Sequence, residues 1–208
     1  MTYLLVAFLV VTVVPLLTAS WRISLLGLAL QGLLLAAILT HHGWPVAWTG
    51  WALLLDLLLV RGWFAPRYLM RIMDALHVPA RNDVIPANLL SWALAGAAVL
   101  VAFRFAGQVQ PGGGPAALHV AVSAAALLLG LLVLGTQVST FSQIVGVLRV
   151  EYAIALFELG AGHEPDLPVQ AGLSAILVLS VLTLGAFLRR LGASPGVASP
   201  PAAGGTTP

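Results

Sequence analysis

The sequence predicts an all-α, polytopic membrane protein of about seven transmembrane helices, with its N-terminus outside and its C-terminus cytoplasmic. Three observations predict it. Apolar residues make up 60% of the 208 residues and charged residues only 8%, whereas roughly a quarter of a soluble domain is charged. Apolar runs approach the roughly 20 residues that a helix needs to cross a hydrocarbon core. Arginines gather on alternate connections between those runs, as the positive-inside rule requires.

The first run, Thr2 to Ala19, ends in the faintly cleavage-like string LLTASW. It lacks the positively charged start of a secretory leader, and further spans follow, so it reads as a helix. Ile23 to Thr40 is the second run and carries Gln31 in LALQGLLLA. The third, Val46 to Phe64, sets Asp56 and Arg61 inside WALLLDLLLVRGWFAP. Ile85 to Phe105, with Asn88 and Ser91, is the fourth, and Ala116 to Gly135 the fifth. Phe141 to Gly160 and Leu167 to Leu188 complete the set. Gly, Pro and polar clusters separate the runs: HHGWP, HVPARNDVIP, GQVQPGGGP and GAGHEPDLP. Residues 191–208 are rich in Pro and Gly and poor in bulky apolar groups, the composition of a disordered tail.

An odd number of spans puts the termini on opposite sides. Arg22, Arg67, Arg71, Arg81, Arg189 and Arg190 fall on one side, and the other has the acidic loop HEPD. The arginine side is therefore cytoplasmic. Arg104 alone dissents, at the outer end of the fourth run, where a long side chain reaches the headgroups.

Several function classes drop out. All nine basic residues are Arg and they are dispersed, so no nucleic-acid patch is expected. Without Cys the chain has no disulfide, thiolate zinc site or cysteine-ligated cluster, and a redox centre must belong to a partner. PGGGP leads into an apolar helix with no P-loop Lys, and no Ser has a nucleophile elbow around it. His41 and His42 are adjacent, and His77, His119 and His163 stand isolated at segment ends. No catalytic residue, metal site or cofactor is predicted in this chain.

The informative residues are ionic groups set among apolar ones. VGVLRVEYAIALFE, from Val145 to Glu158, carries Arg149, Glu151 and Glu158. Glu151 lies ten residues into its run, about 15 Å along the axis and so near mid-span. Residues two apart face opposite sides of a helix, so Arg149 and Glu151 each need a partner elsewhere, whereas Glu151 and Glu158 share a stripe. The third run offers partners through two pairings, Asp56 with Arg149 and Arg61 with Glu151. Each unpaired charge at a bilayer centre costs about 2.5 to 3.5 kcal/mol on insertion scales, so a polar seam through the bundle is expected. Such a seam serves as structural glue between helices, as a route for protons, or as a face for a neighbouring subunit.

Several of these strings, in this order, resemble hydrogenase-4 component E, a membrane subunit of formate hydrogenlyase and related group 4 hydrogenase complexes. The resemblance runs from about Leu17 to Leu191. LALQGLLLAAIL is similar to that family's second helix, and LLLVRGWFAPRYLMRI to its third, with Arg61, Gly62 and Pro66 at the positions of the family's Lys, Gly and Pro. QIVGVLRVEYAIALFELGAG resembles the helix in which Arg149 and Glu151 match the family's Arg and Glu.

The second half, Ala116 to Arg190, is in turn similar to the K-type subunit of respiratory complex I and the C-type subunit of Mrp antiporters. That resemblance implies two membrane halves, a four-helix one over residues 1–115 and a three-helix one over residues 116–190. It also implies that Glu151 lies on a polar axis of proton movement. Gln170 stands where the hydrogenase subunit carries Glu, and an amide exchanges no proton at ordinary pH.

The resemblance thus implies a non-catalytic, multi-pass subunit of the inner cell membrane. Its partners would be antiporter-like and other membrane-arm subunits and peripheral hydrogenase or oxidoreductase subunits, with the lipid bilayer around it and no nucleic acid. An independent small ion or solute transporter, or a purely structural subunit, remains the alternative.

Overall fold

A computed structural model describes residues 1–18, 20–42, 48–75, 89–136, 139–160 and 167–192. The described residues form seven helices and no strand. They are α1 (Thr2–Leu17), α2 (Trp21–His42), α3 (48–75), α4 (Leu89–Val109), α5 (Gly114–Thr136), α6 (Thr140–Gly160) and α7 (Leu167–Gly192). Four of them, α2, α4, α5 and α6, are long and apolar enough to cross a membrane. Arg81, Asn88 and His163, and the tail from residue 193 on, lie outside the described residues.

The third helix departs from the sequence expectation. It does not end at Phe64 but continues to Ala75, which places Arg67 and Arg71 on a helix and not in a connecting loop. The extension is amphipathic: Ala65, Leu69, Ile72 and Met73 are buried while Arg67, Arg71 and Asp74 are exposed. Spacings of three and four build that apolar stripe. A hydropathy window averages over Arg67 and Arg71 and cannot register a face.

Within α3, Asp56–Phe64 is a π-helix between two α-helical stretches. Pro66 gives the reason. A proline has no N–H to return to the preceding turn, and its ring crowds the carbonyl four residues back. Widening the turn before it relieves the crowding and moves the missing bond back to the Arg61 carbonyl. The Ala65 N–H bonds to the Val60 carbonyl, a five-residue step, in place of the α-helical four.

The bundle core is made by α1, α2, the middle of α3, α5 and α6. Its buried side chains, among them Leu5, Phe8, Leu28, Leu57, Val122 and Leu148, come from both sides of the 115/116 boundary. Small residues set the closest approaches, because the packing of apolar helices in lipid depends on van der Waals contact. A Cβ on Gly32 of α2 would lie 2.7 Å from the Gly62 nitrogen of α3, and one on Gly146 of α6 would lie 2.8 Å from the Leu134 Cα of α5. Buried Ala95, Ala102 and Ala106 form the stripe of α4, which packs chiefly on α5. Gly113 (φ 64°) and Gly114 (φ 79°) turn the chain between those two helices in a conformation that side chains disfavour. The last helix, α7, rests on the amphipathic end of α3, with Gly185 against Tyr68 and Ile72.

Candidate functional site

The π-helical stretch decides which charges meet. Five residues along an α-helix turn about 140° past a full rotation, so Asp56 and Arg61 would diverge. In a π-helix, hydrogen bonds link residues five apart and bring those positions together. The Arg61 Nε accordingly donates to Asp56 Oδ2 at 3.1 Å. On the same guanidinium, Nη2 lies 3.0 Å from Glu151 Oε1 on α6. One buried cation thus joins two carboxylates from two helices.

The expected pairing of Arg61 with Glu151 is present. That of Asp56 with Arg149 is not: Asp56 is committed within its own helix, an arrangement an α-helical reading of the third run does not foresee. Arg149, only 2% exposed, donates through Nη1 to the Thr12 carbonyl at 3.1 Å and through Nη2 to Ser24 Oγ at 3.0 Å. Thr12 also accepts the Gln31 amide at 2.7 Å and passes its own hydroxyl proton toward the Phe8 carbonyl. Arg149 and Gln31 therefore meet at Thr12, and Arg149 ties α6 to α1 and α2.

Tyr152 completes the charged cluster. In a π-helix the Arg61 carbonyl would accept from residue 66, which is proline, and its α-helical donor, the Ala65 N–H, is bonded to Val60. The fully buried Tyr152 hydroxyl takes that place, donating to the Arg61 carbonyl at 2.5 Å. Its ring also lies 5.6 Å from the Arg61 guanidinium carbon, within cation–π range. A buried carbonyl needs a donor, and here that need fixes α6 against the site on α3.

Charge counting describes what the cluster can do. With both acids ionised, Asp56, Arg61 and Glu151 sum to one negative charge, and one bound proton makes them neutral. Among the described residues, Asp56 Oδ1 and Arg61 Nη1 have no hydrogen-bond partner. Asp56 and Arg61 are closely covered, whereas 24% of the Glu151 side chain stays accessible. It faces a groove of about 530 Å³ between α6 and α7, lined mostly by apolar side chains.

Of the remaining sequence candidates, Glu158 is exposed and stands two turns beyond Glu151, outside this cluster. Gln170 is on α7, its side chain outside the described ones. Sequence reasoning passed over Thr12, Ser24 and Tyr152, each a lone polar atom in an apolar run. His119, read at a segment end, lies near the start of α5 and is buried there, its Nε2 meeting the Leu156 carbonyl at 2.7 Å. Among the described residues, no three His, Asp or Glu side chains gather as metal ligands would. Comparison of the chain with protein-family models, curated proteins and solved structures finds no match in any of the three.

Proposed function

We propose that this chain is a non-catalytic integral membrane subunit of a hydrogenase or complex I-like oxidoreductase, bracing the membrane arm and contributing Glu151 to proton translocation. The observation that carries this reading is the sharing of Arg61 between Asp56 and Glu151 inside the helical bundle. Two acids on one base hold a proton-sized charge imbalance. The more accessible acid, Glu151, is the one placed to exchange that proton with a neighbour. Ionisable residues are rare within membrane segments, and where they occur they commonly mark proton and ion routes.

In this reading the chain crosses the inner cell membrane seven times, N-terminus outside. The arginine-bearing extension of α3 then lies along the cytoplasmic interface, its apolar stripe on the bundle and its guanidiniums toward headgroups. Antiporter-like subunits would flank the bundle, and the redox chemistry would belong to peripheral subunits.

Purification from membranes in mild detergent tests the assembly, with a nickel-iron large subunit and antiporter-like chains expected to co-elute. Replacing Glu151 with Gln in that complex tests the role. Proton translocation should fall while assembly and electron transfer persist; unchanged coupling would leave a structural brace.

A second reading, an independent small transporter, is favoured by the groove between α6 and α7 that reaches Glu151. Recovery of a lone oligomer that moves ions or solutes in liposomes would select it.

A further inference from the structure

The groove between α6 and α7 has a chemistry that the proton role does not use. Val147, Leu148 and Ile154 line it from α6, and Ile176, Leu177 and Val181 from α7. Thr140 and Gln143 mark its polar end, at the start of α6. Glu151 lies eleven residues from Thr140, about 16 Å along the helix, and is the one ionisable group among the described lining residues. The groove is thus an apolar trough with a carboxylate toward the end away from Thr140.

Volume and charge together select the occupant. At about 530 Å³ the space falls within the roughly 300 to 1,000 Å³ of small-molecule sites, which are mostly apolar with a few placed polar groups. A spanning partner helix, about 10 to 12 Å in diameter, is too bulky for it over the stretch from Thr140 to Ile154. An acyl chain would fit but would set hydrocarbon against Glu151, which only the protonated acid tolerates. Arg61 supplies one positive charge against two acids, so with both acids ionised a single cation in the groove completes the balance as a proton otherwise would.

We infer that this groove binds a lipophilic organic monocation, with the apolar body between α6 and α7 and the cationic centre at Glu151. The site goes beyond the proton role, and an occupied groove would cover the accessible face of Glu151.

The test uses the full chain, with whatever subunits accompany it, in lipid nanodiscs. Tetraphenylphosphonium is the probe and tetraphenylborate, alike in shape and opposite in charge, the control. Saturable binding of the cation and not of the anion is expected. Glu151→Gln should weaken it about tenfold or more, as loss of a desolvated charge partner does. Ile176→Trp, which fills the groove from an exposed lining position on α7, should abolish it. Equal uptake of both probes, or cation binding unmoved by both substitutions, overturns the inference. So does a cross-link from Ile176→Cys to a partner chain, since a covered groove holds no small ligand. Cation binding that follows these expectations alongside unimpaired proton coupling in Glu151→Gln would uphold the site and reject the proton role, so the two stand or fall separately.

Discussion

Tyr152 donates its hydroxyl proton to the main-chain carbonyl of Arg61, a carbonyl whose own helical donor is missing because residue 66 is proline. A backbone vacancy on one helix is filled by a side chain of another, and the charged group on the vacated residue is oriented as a consequence. That relationship links Pro66, the π-helical stretch and the ion cluster into one device.

The first prediction concerns that hydrogen bond. Tyr152→Phe leaves the buried Arg61 carbonyl without a partner and should cost about 1 to 3 kcal/mol. Pro66→Ala restores an N–H in the same region. In that background Tyr152→Phe should cost less. Reversible unfolding in bicelles measures both, and an equal cost in the two backgrounds would refute the link.

Removing members of the cluster should have unequal effects. Arg61→Leu strands two carboxylates and should cost about 3 to 5 kcal/mol, the range for breaking a buried pair. Asp56→Asn leaves Arg61 balanced by Glu151, so its cost should be clearly smaller. The yield of folded protein and the unfolding midpoint would report the order, and the reverse order would contradict the geometry.

Packing around the π-helical stretch is tight on the α2 side. Gly32→Ala places a methyl group 2.7 Å from the Gly62 nitrogen, and overpacking against backbone should cost about 1 to 3 kcal/mol. Gly96→Ala on α4 meets nothing within 4 Å. It should be neutral or stabilise by up to about 1 kcal/mol, since Ala is the better helix former. The same unfolding measurement separates the two.

Arg149 should tolerate no conservative exchange. Its two terminal nitrogens reach different helices, α1 through Thr12 and α2 through Ser24, and a single ammonium cannot span both. Arg149→Lys should lose about 1.5 to 3 kcal/mol, the range for one charge-assisted hydrogen bond. Ser24→Ala should cost little more once Arg149 is Lys.

The membrane class and the positions of the helices were legible because apolar runs of spanning length are hard to accommodate anywhere but in a bilayer. Arg61 with Glu151 was one of two pairings that depth allowed, Glu151 lying near mid-span and Arg61 in the cytoplasmic half of the third run. The partner of Asp56 was not, because facing directions were reckoned at the α-helical period, and a π-helix resets them over a few residues. Pro66, four residues beyond Gly62, was the available signal: a proline just past a charged position inside a helix requires the turn before it to change. The extension through Arg67 and Arg71 escaped because hydropathy sees the mean and not the face. Tyr152 and Thr12 escaped for a different reason. A single hydroxyl in an apolar helix says nothing until its acceptor on another helix is known.

The most direct measurement is the coupling free energy between Arg61 and Glu151, obtained from a double-mutant cycle of Arg61→Met and Glu151→Gln in the folded, lipid-embedded protein. A favourable coupling of about 1 to 3 kcal/mol is predicted, the range for residues joined in one network. Costs that simply add, with no coupling, would mean that the two charges do not meet, and the account built on them would fall.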